Sequence, residues 1–84
     1  MRDGAELERE RATLAKARID IAEGEARIAQ QEQLLARLRD HGQSVEAAEA
    51  LLVTLRNTVE AWRDHERLIQ QRIAQLESNM ERGA

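Results

Sequence analysis

The chain has 84 residues, no proline, cysteine, tyrosine or phenylalanine, one tryptophan, 35% charged residues and a formal net charge of −3. That is one domain at most, with no disulfide or thiolate chemistry, and with Arg and Glu interspersed rather than gathered into the basic stripe that nucleic acid demands. No stretch approaches the ~20 apolar residues of a membrane span and Met1 to Lys16 lacks an apolar leader core, so a cytoplasmic location is expected.

The first predicted helix runs from about Ala5 to Asp40, behind a short start at Met1 to Gly4. Asp3 is placed to cap it, and Glu6 and Glu8 favour the positive end of its dipole. Within it Leu7, Leu14, Ile21, Ile28 and Leu35 repeat every seven residues. A repeat of 3.5 holds one stripe of a helix against a partner helix.

Arg37-Leu38-Arg39-Asp40-His41-Gly42 reads as a stop, with cations in the last turn and a glycine able to take the left-handed cap. The turn is expected at residues 41–43. Ser44 is placed to cap a second helix running to about Glu81, with Glu46 and Glu49 in its first turns. Along it Ala48, Leu52, Leu55, Val59, Trp62, Glu66, Ile69, Ile73, Leu76 and Met80 alternate in steps of four and three, with Glu66 the one charged interruption. A connection this short forces antiparallel neighbours. The expected fold is therefore all-α, an antiparallel, coiled-coil-like two-helix hairpin with arms of roughly 50–55 Å.

Folding back at Gly42 sets Leu35 and Leu38 against Val45, Ala48 and Leu52, and Leu14 against Ile69 and Ile73. Gly24, which costs a helix interior about 1 kcal/mol relative to alanine, falls opposite Trp62, as a gap for the largest side chain. Glu66 falls opposite Arg18, which suggests a cross-helix ion pair that sets register more than stability. Within single helices, Lys16–Asp20, Glu23–Arg27 and Arg56–Glu60 have the spacing of small i,i+4 supports.

Each helix carries a second ladder. On helix one it is Ala12, Ala15, Ile19, Ala22, Ala26, Ala29 and Ala36, interrupted by Gln33. On helix two it is Ala47, Leu51, Thr54, Thr58, Ala61, His65 and Leu68, ending at Arg72. A helix with two apolar stripes touches two neighbours, and a hairpin supplies one. The second neighbour is expected from another copy, in a two-fold dimer forming a four-helix bundle. The competing reading is that alanine fills a solvated helix for its propensity alone.

Neither His41 nor His65 has a second histidine three or four residues away, and no Glu-x-x-His, glycine-rich phosphate loop or Ser/His/Asp set occurs. No metal, cofactor or catalytic residue is expected, and the chain reads as a non-enzyme. Two alternatives are weighed. Asp64-His65-Glu66-Arg67 is similar to the acidic-flanked histidine of the phosphotransfer hairpins of sensor kinases, which would make His65 a phosphoacceptor. That family carries its histidine on the first helix and a proline beyond it, and this chain does neither. A nucleic-acid accessory role would use Arg11, Arg18, Arg56 and Arg63, but Glu25 and Glu32 interrupt the track.

From about Ile19 to Ile69, GEARIAQQEQLLARLRDHGQS followed by AEALLVTLRNTVEAWRDH resembles a set of short, uncharacterised bacterial proteins common in alphaproteobacteria. The resemblance rests on Ile28-x-x-Gln31, Leu34-Leu35-x-x-Leu38, the Gly42 turn and Leu51-Leu52-x-x-Leu55. It implies a helical hairpin and assigns no site residue.

Overall fold

A computed structural model describes the backbone of residues 2–83 and the side chains of residues 4–83. Two helices, α1 (Arg2–Asp40) and α2 (Glu46–Gly83), pack side by side along their lengths. The molecule is a rod of 65 × 14 × 13 Å.

The seven-residue repeat of α1 lies in the seam, where Leu7, Ile21 and Leu35 are buried. From α2 come Ala48, Leu52, Val59, Ile69 and Leu76. Beside the turn Leu35, Ala48 and Leu52 form a cluster closed by Ile28, Leu38 and Val45, the pairing that the fold-back at Gly42 requires.

The turn is built by Gly42. Its φ of +66° is open to glycine and costs other L-residues about 1–2 kcal/mol. The Gln43 N–H donates to Leu38 O at 2.9 Å and the Gly42 N–H to Arg39 O at 3.1 Å, the paired bonds that satisfy carbonyls left over at a helix end. His41 Nδ1 donates to Arg37 O at 2.7 Å, a carbonyl that also accepts the His41 N–H. Arg37 and Arg39 stand in this last turn, on the favourable side of the dipole.

Three boundaries differ from the sequence reading. Helix α1 starts at Arg2, not near Ala5: nothing in Arg2-Asp3-Gly4 blocks helical dihedrals, and acidic residues suit that end. The Asp3 side chain lies outside the described residues, as do Met1 and Ala84. Helix α2 starts at Glu46, not Ser44. The carbonyl accepting its first helical bond is that of Val45, from the Glu49 N–H at 2.8 Å. Val45 reaches into the apolar cluster, and that anchorage fixes the chain before the helix begins, leaving Gln43 and Ser44 to cross the turn. At the far end α2 continues to Gly83 rather than Glu81.

Gly24 sits where the sequence places it. An added Cβ would lie 2.6 Å from Val59 Cγ2 and 3.1 Å from Trp62 Cζ3. Trp62 is half-buried, covering the gap from one side rather than being enclosed by it. Val59 is 3% exposed and β-branched, so its methyl has nowhere to go. Gln31, which breaks the apolar pattern of α1, is buried, and its Nε2 donates to Ala48 O at 3.0 Å. A polar side chain satisfied at one place in a seam favours one register over its neighbours.

Two expectations follow. Gly24→Ala should destabilise by about 1–3 kcal/mol although propensity alone favours alanine by about 1 kcal/mol; urea unfolding followed by circular dichroism measures it, and a more stable variant would refute the close approach. Gly42→Ala should cost about 1–2 kcal/mol in the same assay, and no loss would mean that the turn does not hold φ positive in solution.

A candidate interaction surface

The two flanks of the seam are unlike. On one, Arg11, Arg18, Glu25, Glu32 and Arg39 follow each other every seven residues along α1, and Glu49, Arg56, Arg63 and Glu77 fall on the same period along α2. They interlock. Arg11 meets Glu77 at 3.2 Å, Glu32 meets Arg56 at 3.0 Å, Glu25 meets Arg63, and Arg39 meets Glu49 at 3.0 Å. Arg18 reaches Glu66 at 3.2 Å, the pair expected from sequence. The Glu66 side chain is 23% exposed at the seam edge, whereas its partner is 56% exposed, so solvent screens the attraction and register is its main effect. Of the three i,i+4 pairs expected, Lys16–Asp20 forms at 3.6 Å. Arg56 turns across the seam to Glu32 instead of along its helix to Glu60, because an antiparallel partner presents a carboxylate at the same reach.

The opposite flank is open. Among the described residues it has one cross-helix ion pair, Glu10–Arg72 at 3.2 Å near the free ends of the helices. Below that pair, shallow grooves run between the helices. Two adjoining ones share Thr13 and His65, with Ala12, Lys16 and Asp20 on one and Leu68 and Arg72 on the other. Another, nearer the turn, is lined by Arg27, Leu34, Arg37, Leu51 and Leu55. Leu34, Leu51 and Leu68 are exposed here, at 37%, 49% and 62%.

The second ladder of α2 lies along this open flank: Leu51, Thr54, Ala61, His65 and Leu68 are exposed and Thr58 is half-buried. The ladder of α1 does not, apart from Ala12 at the edge of one groove. At 3.6 residues per turn, Ala15, Ala22 and Ala29, with Ile19 and Ala26 beside them, fall on the back of α1 and lean towards the ion-paired side. All five are exposed, Ile19 at 59%. The structure thus does not bring the two ladders onto one surface, and no single flat face covers both. The sequence shows two stripes per chain but not that they point to different sides. That becomes visible once the ion-paired flank is identified, because it fixes which way each stripe turns.

His41 is occupied by its own helix end. His65 lies in an exposed groove without a hydrogen bond among those of the described residues. No group of three or more His, Asp or Glu side chains that could hold a metal occurs among the described residues, and no helix among them is long and apolar enough to cross a membrane. Each arginine of the closed flank faces a carboxylate, which breaks up any continuous basic track. No family model, curated protein or solved structure matches the chain.

A double-mutant cycle on Glu32 and Arg56 should give a coupling of about 0.2–1 kcal/mol that shrinks in high salt. A coupling of zero at low salt would show that the closed flank is not held by charge.

Proposed function

We propose that this chain is a non-enzymatic, self-associating α-helical hairpin, which pairs with a second copy into a four-helix bundle and serves as a small protein–protein interaction or scaffold module. One observation carries the reading. The hairpin exposes 6328 Å², about 1,200 Å² more than the roughly 5,100 Å² usual for a compact monomer of 9.6 kDa. A rod of 65 × 14 × 13 Å exposes more than a compact shape by its geometry, and its surface can supply the 800 Å² or so that a standard interface takes from each partner. Leu34, Leu51 and Leu68, exposed on the open flank, support the same reading, since apolar surface rimmed by polar groups marks contact sites; Ile19 and Val53 are exposed elsewhere. The exposed leucines of the open flank are what favours a scaffold over a phosphoacceptor role for His65.

Sedimentation equilibrium or light scattering at tens of micromolar should give twice the chain mass, with dissociation on dilution and a matching loss of thermal stability. A single-chain mass throughout that range would end the proposal.

A further inference from the structure

The two halves of the open flank differ in charge. Towards the free ends the cations Lys16 and Arg72 have acids beside them, Asp20 at 3.6 Å and Glu10 at 3.2 Å. Nearer the turn the groove is lined by Arg27, Leu34, Arg37, Leu51 and Leu55, and no carboxylate lines it. Glu23 stands one turn behind Arg27 and Asp40 one turn beyond Arg37. Neither arginine has an ion pair among the described residues. The facing ladder of α2, from Ala47 through Leu51 and Thr54 to Thr58, adds no charge. This local excess of positive charge stands in a chain whose net charge is −3.

We infer that the turn-proximal groove binds an acidic amphipathic helix of another protein, whose apolar side chains rest on Leu34, Leu51 and Leu55 and whose carboxylates meet Arg27 and Arg37. This rests on the interaction-module part of the reading above, not on self-association, and names the chemistry of the partner. Arg27 and Arg37 are ten residues apart on one helix, about 15 Å along its axis, with Leu34 between them. The partner's acids therefore bracket its apolar anchors at a similar spacing. Affinity comes from covering Leu34 and Leu51, which are 37% and 49% exposed. Exposed ion pairs add little to it, but they select the sign of the partner, because a basic helix in the same place meets two cations and no acid. A helix fits better than an extended segment. The described residues are two helices with no strand edge, so an extended backbone would find no ladder to join, whereas a helix carries its own hydrogen bonds into a groove. A second copy set on this half by a two-fold axis through it would bring the same arginines together, so the occupant is a different chain.

The probe is a fluorescein-labelled helical peptide with glutamates ten residues apart and leucines at three- and four-residue steps between them. The full chain should raise its fluorescence polarisation saturably, and the same peptide with lysine for each glutamate should bind about tenfold more weakly. Arg27→Glu with Arg37→Glu, both at exposed positions, should reverse that preference while far-ultraviolet helicity is retained. No saturable binding of the glutamate peptide, equal binding of the two peptides, or an unchanged preference in the double variant would overturn the inference. So would a labelled single-stranded oligonucleotide that binds more tightly than the peptide, since the arginines would then serve nucleic acid. Light scattering on the same wild-type samples without peptide reads self-association separately: a single-chain mass there ends the pairing proposed above whatever the peptide does, and a doubled mass without peptide binding ends only the groove assignment.

Discussion

Two helices meeting along one line cannot enclose a side chain on every side. None of the described side chains is wholly screened from solvent, and even Val59 retains 3% of its surface. Hydrophobic stabilisation scales with the area removed from water, so a seam one side chain wide gains little from depth and must gain from length. That is why both helices run nearly the whole chain, and why register matters more here than in a globular core. A slip along the seam moves every contact at once.

Register is accordingly fixed several times over. Gly42 sets where the chain turns. Gly24 lets α2 approach closely at one place, where Val59 and Trp62 fill the space a Cβ would take. Gln31 spends its amide on Ala48 O, a bond that exists in one alignment. The ion-paired flank adds a charge order that a slip would spoil. Moving α2 by one heptad one way would set Glu32 beside Glu49 and Arg18 beside Arg63. Moving it the other way would set Arg39 beside Arg56. Each like-charge neighbour costs only tenths of a kcal/mol, but the penalties arrive together.

Much of this was legible in the sequence because it rests on period and on residue size. The hairpin follows from two heptad ladders and one glycine, and the Gly24–Trp62 and Arg18–Glu66 pairings follow from folding one ladder onto the other. What was not legible depends on competition between neighbours. Ser44 is a better helix cap than Val45 by intrinsic preference, yet an apolar side chain tied into the seam decides where α2 begins. Gln31 looks like a defect until a carbonyl stands opposite it. Arg56 has an acid four residues along its own helix and another across the seam, and spacing alone does not choose between them. For the second ladders the difficulty was different: alanine serves propensity and packing equally well, so a stripe of it does not say whether it faces water.

The asymmetry of the flanks bears on how such a small rod avoids the wrong company. A coiled-coil seam with identical edges would offer two equivalent faces to further copies, and a contact repeated on opposite faces grows into open filaments rather than a closed pair. Here one edge is occupied by carboxylate–guanidinium pairs whose order on α1 is matched by α2 of the same chain. A second copy approaching there must displace partners already in place and gains only what it displaces. The other edge has apolar side chains exposed, threonine hydroxyls satisfied within the helix, and one cross-helix ion pair, Glu10–Arg72, among the described residues. An association confined to one edge closes after two chains when a two-fold uses the same surface on both. The back of α1 is mostly alanine, with Ile19 standing out from it at 59% exposed. The ion pairs that cross the seam thus gather mainly on one edge of the rod, and Leu34, Leu51 and Leu68 stand exposed on the other.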